Sequence, residues 1–574
     1  RQPERVRLSE ASRSNPPYVY DQLGRMTTDV LTTIGPGVDA GIQRIESHYD
    51  NRGRLQHVTS FVSPISPTVV NDIQYQYTEF GQVQREYQQH GAAVDGSSPS
   101  VQYNYADGSA NTIRLQSIQY PDGRILNYDY GDAGGDHDQL SRVQSLSLGT
   151  DPVVDYQYLG ISSVVIQNYS ELSPPVRYTL ASGSGNDPYD GLDRFDRVKR
   201  LLWEQDTNPL VDYGYTYDRV GNKQTLDVSS GAPIDEVYQY DSLYRLKNYR
   251  RGDLSGSTIA EPTLSQDWSL DATGNWNQFV QGVTGTLDQS RTHNQVNEIT
   301  SINTTTGASW PTPEYDANGN TTSFPQPNEL SSSYAATWDA WNRLVRLEDG
   351  GEPVAEYQYD GLGRRIIQKQ SRPGLRDETR HCYLSQQNQV LEERIDDAVP
   401  AAQQFVWGVR FVDDLVLRET DTNNDGVLDQ RLYAMSDPRF SVVAIADETG
   451  AVQERYTYDG YGRCSVLTPA YDGRKDSVFD WEFRYTGRRA DLESLLYFFR
   501  ARYYHAPLGR FLSRDPVGYV DGMSLYRAYF VPLGVDSEGG RWFVPDGETN
   551  RRGTCKVKIV CGNLAWWVEH CGLE

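Results

Sequence analysis

Apolar and polar positions alternate at the end of each short strand segment. The clearest case is Tyr357-Gln358-Tyr359, whose two rings stand at i and i+2 on one face of a strand, where they can pack across to a neighbour. Asp360 then opens a turn by accepting backbone N–H bonds, and Gly363 takes a position that calls for positive φ. Arg364 through Gln368 return as the partner strand. The unit predicts a β-hairpin. Clear copies read Tyr20-Asp21-Gln22-Leu23-Gly24-Arg25, Tyr49-Asp50-Asn51-Arg52-Gly53-Arg54, Tyr217-Asp218-Arg219-Val220-Gly221-Asn222 and Tyr458-Asp459-Gly460-Tyr461-Gly462-Arg463. Worn copies start at Tyr240-Asp241, Leu270-Asp271, Tyr315-Asp316 and Trp338-Asp339. Neighbouring copies lie roughly two dozen residues apart, the length of a supersecondary unit. A lone hairpin is marginal in water, so stability must come from stacking neighbours into one long sheet, and a long twisted sheet curls, splits or closes on itself.

Composition agrees with this reading. Hydrophobic residues make up only 37% of the 574 residues, yet there are 40 Tyr, 11 Trp and 50 Gly, the mix that pleated faces and tight turns require. The expected fold class is therefore all-β. A formal charge of -24 opposes phosphate neutralisation and argues against nucleic acid as a partner. No apolar run approaches the roughly 20 residues of a membrane span. The chain starts at Arg1 without a signal-peptide pattern, which reads as an excerpt from a longer precursor. Of five cysteines, Cys382 and Cys464 stand alone while Cys555, Cys561 and Cys571 crowd the C-terminus, so disulfides do not build the body.

The Tyr-Asp copies resemble the YD repeats of the Rhs family, which includes toxin-complex C subunits, polymorphic toxin carriers and teneurins. The resemblance implies a long spiralling antiparallel sheet of hairpins forming a partial or complete hollow β-shell. On this basis residues 1–188 hold degenerate repeats, 189–480 the repeat shell, 481–540 an Rhs repeat-associated core and 541–574 the start of a variable C-terminal region. The core is carried by Tyr485-Thr486-Gly487-Arg488, by Leu495 through Tyr504, by Gly509-Arg510-Phe511-Leu512-Ser513-Arg514-Asp515-Pro516-Val517-Gly518, and by Ser524 through Tyr529. A second acidic turn follows at Asp536-Ser537-Glu538-Gly539.

In that family the paired Asp-Pro-x-Gly motifs are associated with self-cleavage that frees a C-terminal segment held in the shell. Carry-over makes Asp515 and Asp536 the catalytic pair, Arg514 an orienting or charge-balancing neighbour, and the bond near Gly540 and Arg541 the scissile one. Two close carboxylates suit this chemistry, because one retains a proton as acid while the other serves as base. The chain departs from the pattern at Ser537, where proline is expected, and at Gly540, where an apolar residue is usual. The plainer reading is that both aspartates only cap turns.

Asp421, Asn423, Asp425 and Asp429 occupy positions 1, 3, 5 and 9 of a calcium-loop pattern with Gly426 at the sharp turn, but Leu432 stands where the bidentate Glu belongs. A solvated acidic turn is the alternative, and no other cofactor is implied. Asp136-His137-Asp138 offers a metal-contact reading against that of a solvated loop in a Gly-rich stretch. His570-Cys571 offers a thiol or metal-ligand reading against ordinary core or disulfide cysteines. No Walker loop, His-Glu-x-x-His pair or Gly-x-Ser-x-Gly elbow is present, so the enzyme expectation extends at most to an intramolecular aspartyl autoprotease. The function expected is encapsulation of the chain's own C-terminal cargo, with an immunity protein or a secretion-system component as partners and a secreted or bacterial cell-surface location implied by the family. The rival is an adhesion protein whose exposed Tyr and Trp bind glycans.

Overall fold

A computed structural model of the chain describes residues 18–540, apart from positions 32, 110–111, 181–189, 284–285, 372–376 and 397, together with the backbone of residues 555–561 and 564–570. The predicted hairpin is its building unit. At the second copy the Asp50 N–H donates to the Arg54 carbonyl (2.8 Å) and the Gly53 N–H to the Asp50 carbonyl (2.9 Å), with Gly53 at φ +82°. The strand register slips between His48 and Tyr49, the bulge that a three-residue loop with a left-handed glycine creates. Asp50 Oδ1 accepts from the backbone of Arg52 and Arg54, and Oδ2 accepts from Arg54 Nε at 2.7 Å. The same clasp recurs at Asp21–Arg25, Asp193–Arg197, Asp241–Arg245, Asp339–Arg343 and Asp360–Arg364. In one clear and two worn copies an asparagine amide replaces the guanidinium, as Asn222 does on Asp218 at 2.6 Å.

Hairpins join into two meanders in which each strand pairs antiparallel with the next. The first sheet has 22 strands, from Tyr18–Tyr20 to Ile299–Thr306. Across the boundary expected near position 188, Val176–Thr179 pairs directly with Arg200–Gln205. The second sheet has 16 strands: 15 from Glu314–Tyr315 to Gly473–Arg474, and Val38–Asp39, which leaves the first meander to pair in parallel with Trp338 and Asp339. From that seam the two sheets run side by side in the same direction. Asn71 Nδ2 donates to the Tyr359 carbonyl (3.0 Å), Tyr120 Oη to Phe405 (2.7 Å), Trp203 Nε1 to Ser436 (3.0 Å) and Arg251 Nη2 to Tyr458 (2.6 Å). Ascending positions in one sheet meet ascending positions in the other, as in successive turns of a spiral.

The second sheet curls around residues 481–540. Tyr334 Oη reaches the Glu493 carbonyl, Arg365 pairs with Asp491 at 2.6 Å, Glu393 binds Arg489, Asp413 binds Arg500 at 2.9 Å, and the Gly462 carbonyl accepts from Tyr497 at 3.0 Å. The Pro325 carbonyl lies 2.8 Å from His505 Nε2. Twelve consecutive strands, from Thr321–Pro325 to Val452–Tyr458, lie between these contacts. Laid flat they would span about 50 Å, whereas a 60-residue module has a radius of gyration of only about 10 Å. All of them can touch it only if the sheet wraps it. Buried ion pairs of this kind add little net stability once desolvation is counted, but breaking one leaves a stranded charge, so they fix the module's placement. Helix is limited to Asp136–Gln139 and two short 3-10 turns among the described residues, and no helix there is long and apolar enough to cross a membrane.

Tips of the second coil press into the face of the first, and glycine marks where they do. A β-carbon at Gly361 would lie 2.4 Å from Val58 Cγ1, and one at Gly460 would lie 2.9 Å from Leu246 Cδ2. The equivalent Gln22, Asn51 and Arg219 belong to exposed turns. Gly361→Ala is therefore expected to destabilise the protein by about 1–3 kcal/mol through overpacking, while Asn51→Ala stays within about 0.5 kcal/mol. Denaturant midpoints of the two variants check this, and equal midpoints would refute the docked-tip assignment.

Candidate functional site

The wrapped module is built on a hairpin, Leu496–Phe499 with Arg502–His505, flanked by Arg489–Asp491 and Arg510–Phe511. Its aromatic side chains Phe499, Tyr504, Phe511 and Phe530 pack together with ring centroids 5.0–6.1 Å apart. Arg502 begins the return strand and lies over the Phe511 ring, its guanidinium 3.6 Å from the centroid. An arginine that is 3% exposed in such a setting needs acceptors all round. Nη2 stands 3.0 Å from Asp515 Oδ2 and 3.7 Å from Asp536 Oδ2, Nη1 donates to the Leu525 carbonyl at 3.2 Å, and Nε donates to the Gly539 carbonyl. The two aspartates picked from the sequence, 21 positions apart, thus meet on one nitrogen.

Each aspartate divides its oxygens between two tasks. Asp515 Oδ1 accepts from the Val517 N–H at 2.9 Å, closing the Asp-Pro-x-Gly turn, and Asp536 Oδ1 accepts from Glu538 (3.3 Å) and Gly540 (3.1 Å). The Oδ2 atoms face Arg502. Turn capping and a shared carboxylate site are therefore the same arrangement. Burial pushes the Asp515 carboxyl up to about 6 against the pull of Arg502, and burial together with the charge of Asp515 pushes Asp536 up to about 6 as well. Burial also lowers the pKa of Arg502. Near pH 6 the pair can hold one proton between two carboxylates, the condition for acid–base work.

The segment beyond Asp536 is clamped by its carbonyls. Arg488 Nη1 donates to the Ser537 carbonyl at 2.9 Å, Arg500 Nη1 donates to the same oxygen, and Asp413 binds both guanidinium groups. At Gly539, φ is +69° and a β-carbon would lie 2.3 Å from the Phe499 carbonyl, so only glycine fits. Gly540 differs: a β-carbon there would lie 3.8 Å from Pro516 and Val517 and 4.0 Å from Asp515 Oδ1. The position tolerates a side chain, which would approach the first carboxylate. The Ser537 N–H makes no hydrogen bond among the described residues, so the proline expected there would cost none.

Arg514 is placed elsewhere. Its Nη2 donates to Glu298 Oε1 at 2.6 Å, and Tyr526 beside it donates to the Gly319 carbonyl at 2.7 Å, fastening the module to the outer turns. The cation between the carboxylates is Arg502, which the motif search passed over. The signal was present in Arg500-Ala501-Arg502 inside an aromatic run, where a buried charge demands a counter-ion. Arg541 lies outside the described residues, as do the side chains of Cys555, Cys561, Trp566, Trp567, His570 and all of Cys571; the backbone of Cys555–Cys561 pairs antiparallel with Leu564–His570.

The calcium-loop residues spend their oxygens on their own exposed turn. Asp421 Oδ2 accepts from Gly426, Asn423 Oδ1 from Asp425, Asp425 Oδ1 from Val427, and Asp429 from Thr422, each within 2.8–2.9 Å. Leu432 is buried in the next strand. Among the described residues no group of three or more His, Cys, Asp or Glu side chains is placed to hold a metal ion. Asp136 and His137 belong to the short helix, and Asp138 pairs with Arg114 at 2.5 Å.

No protein-family model matches the chain. Over 386 residues it is 28% identical to the tRNA nuclease WapA of Bacillus subtilis (strain 168), a match covering 60% of this chain and 15% of the relative. It is 25% identical over 366 residues to toxin subunit YenC1 of Yersinia entomophaga, covering 55% of this chain and 35% of that one. The chain thus spans a small part of the curated relatives it matches. Its fold matches the crystal structure of TcdB2-TccC3 without the hypervariable C-terminal region, with a TM-score of 0.61, 17% identity, 92% of this chain covered and 27% of the other. The resemblance to Rhs/YD-repeat and toxin-complex proteins read from the Tyr-Asp copies holds in both comparisons, and the all-β spiral is the β-shell fold of those neighbours.

The paired carboxylates give a signed pH dependence. Both folded-state midpoints exceed the ordinary Asp value of about 4, so the folded chain binds more protons between them. The pair's contribution to stability is fully present below pH 4 and is lost as pH rises through about 6. Carboxyl-carbon NMR on aspartate-labelled protein should place the midpoint of Asp536 near 6, and Asp515→Asn should lower it. A midpoint near the ordinary value in the unsubstituted chain would contradict the site as described.

Proposed function

We propose that the chain is the carrier part of a polymorphic-toxin-type protein: a β-shell that wraps and presents a variable C-terminal segment beginning after Gly540, with that segment freed by aspartyl self-cleavage. One observation carries the reading. The Gly540 N–H is held by Asp536, a β-carbon at Gly540 would lie 4.0 Å from Asp515 Oδ1, and arginines grip the carbonyls just before it. The shell fold shared with the TcdB2-TccC3 neighbour, whose C-terminal region is hypervariable, supports the carrier role. On this reading the protein works outside the cell that makes it, and its direct partner is its own cargo.

The chemistry proposed is hydrolysis of the Gly540–Arg541 bond. The ionised carboxylate of the pair takes a proton from a solvent water, whose oxygen adds to the Gly540 carbonyl carbon. The protonated carboxyl gives its proton to the departing amine of Arg541, the C–N bond breaks, and Gly540 is left with a new carboxylate. Arg502 orients both aspartates and holds the Gly539 carbonyl, so the segment cannot slide during the reaction. Burial excludes bulk solvent and keeps a proton on the pair up to about pH 6.

A chain extended beyond Glu574 tests this on a denaturing gel. Two fragments are expected from the unsubstituted chain, which still elute together on native size exclusion. A single full-length band is expected from Asp515→Asn and from Asp536→Asn. Persistent full-length chain in every sample would overturn self-cleavage. Encapsulation is read separately: the downstream segment should resist added protease until the shell is denatured, and rapid digestion in the native state would overturn the carrier role.

A further inference from the structure

One tip of the second coil is longer than the Tyr-Asp turns around it. Between Gln403–Trp407 and Leu415–Thr420 the chain runs Gly408-Val409-Arg410-Phe411-Val412-Asp413-Asp414. The clasp survives there in reverse. Asp414 Oδ2 accepts at 3.0 Å from Nε of Arg410, four residues before it, and the Gly408 N–H donates to the Asp414 carbonyl at 2.7 Å. Asp414 thus closes the turn, and Asp413 beside it is left to face the wrapped module, where it is buried. The fit is close: a β-carbon at Gly487 of the module would lie 2.4 Å from the Asp413 carbonyl oxygen. Gln389 Nε2 donates to the Val412 carbonyl at 2.8 Å, which ties this tip to the one before it, and Arg500 Nε donates to the Asn388 carbonyl of that earlier tip at 3.2 Å.

The ion pairs that seat the module on the coil are of two kinds. Arg365 and Asp491 are self-contained: Nη1 and Nη2 take the two carboxylate oxygens at 2.6 and 2.8 Å, and among the described residues neither side chain is hydrogen-bonded to residues 536–540. Asp413 instead spends one oxygen on two cations. Its Oδ1 binds Arg488 Nη2 and, at 2.9 Å, Arg500 Nη2, while Oδ2 has no hydrogen-bond partner among the described residues. The Nη1 atoms of the same two arginines meet on the Ser537 carbonyl. Two buried guanidinium groups brought onto one oxygen repel each other unless an anion lies between them. Asp413 is that anion, since Glu538, 3.8 Å from Arg500 Nη1, is largely exposed. The other holds on the segment, Arg502 on the Gly539 carbonyl and Asp536 on the Gly540 N–H, lie within the module. Only the hold at Ser537 depends on the coil.

We propose that Asp413 is a positioning residue for the self-cleavage: it holds Arg488 and Arg500 together on the Ser537 carbonyl, so that the second coil completes the reaction site and cleavage follows closure of that coil around the module. The inference rests on the self-cleavage reading and adds to it a dependence on a residue of the repeat coil. Three fixed points, at the Ser537 and Gly539 carbonyls and the Gly540 N–H, set the course of the segment that leads to the scissile bond. Loss of the first frees the segment while the carboxylate pair and Arg502 stay as they are. A misplacement of about 1 Å is enough to cost on the order of a hundredfold in rate.

A chain extended beyond Glu574, made by cell-free translation and sampled over time on a denaturing gel, tests it. Asp413→Asn is expected to slow the appearance of the two fragments at least fivefold. Asp491→Asn, which breaks a coil-to-module ion pair away from the segment, is expected to lower the thermal midpoint and to leave the rate within about twofold. Because Asp413 acts through the two arginines, Arg488→Gln/Arg500→Gln and the same chain with Asp413→Asn added are expected to cleave at one shared, slow rate. The triple variant strands no charge, so it keeps the test decisive where Asp413→Asn alone fails to fold. Brief proteolysis of split samples reads closure of the coil, and resistance is expected before fragments. The inference is overturned if Asp413→Asn has a smaller effect, if Asp491→Asn slows cleavage as much, if adding Asp413→Asn to the arginine variant slows it further, or if fragments precede resistance. Each of these outcomes leaves self-cleavage standing, whereas absence of fragments from every sample overturns that reading and this inference with it.

Discussion

Everything in this molecule hangs on a three-residue relay that links each hairpin to its neighbours. The aspartate closes its own turn. The tyrosine before it reaches back, its hydroxyl donating to the carbonyl just past the preceding turn, as Tyr217 does to Val198 (2.8 Å) and Tyr359 to Leu344 (2.8 Å). The arginine reaches forward: Arg343 Nη1 donates to the Asp360 carbonyl at 3.1 Å, and its guanidinium lies 5.0 Å from the Tyr359 ring. Arg25 over Tyr49 and Arg54 over Tyr77 repeat the stack at 4.2 Å. Each unit is thereby fixed in register to the one before and the one after, which is how a chain with few aliphatic residues holds a sheet of 22 strands.

Because the relay works through backbone carbonyls, it tolerates substitution of its parts. Trp338 serves in place of tyrosine, its Nε1 donating to the Thr321 carbonyl at 2.8 Å, and asparagine serves in place of arginine at position 222. What it does not tolerate is a change of neighbours. Where the second coil presses on the first, Asp360 and Arg364 become buried and Arg364 forms a further ion pair with Glu86 across the coils at 2.7 Å. Where a glutamine from the first coil intrudes at Asp459, the clasp opens and a guanidinium is released into a cleft. The same six-letter motif is thus a solvent-facing turn, a coil-to-coil lock or a cavity wall, according to what lies over it.

This explains which features were legible in the sequence. Hairpins, their Tyr-x-Tyr strand ends and their left-handed glycines are local, so Tyr357-Gln358-Tyr359 and Gly363 could be assigned from short-range chemistry alone. The meeting of Asp515 and Asp536 was reachable because family resemblance supplied a long-range pairing that no spacing rule gives. Arg502 was not singled out, and Arg514 was, because adjacency in sequence says nothing about which side of a strand turns inward. Arg514 leaves the Asp515 turn on the opposite course, toward Glu298. The seam of Val38–Asp39 with Trp338 and Asp339 lies 300 positions apart and carries no local mark at all.

The candidate site is a variation on the relay rather than an addition to it. An aspartate in a Tyr-Asp turn uses Oδ1 for backbone N–H groups and Oδ2 for its own arginine. Asp515 and Asp536 keep the first half of that pattern and lose the second, since neither has a basic residue four positions on: Tyr519 and Gly540 stand there. Their Oδ2 atoms are free to turn toward a third residue, and the wrapped module brings both to Arg502. One guanidinium now serves two carboxylates where elsewhere each has its own. Half the usual cationic compensation, in a setting almost without solvent, is why both protons are held up to about 6. The step from structural clasp to a pair fit for acid–base chemistry therefore needs only the loss of two local arginines and the burial of what remains.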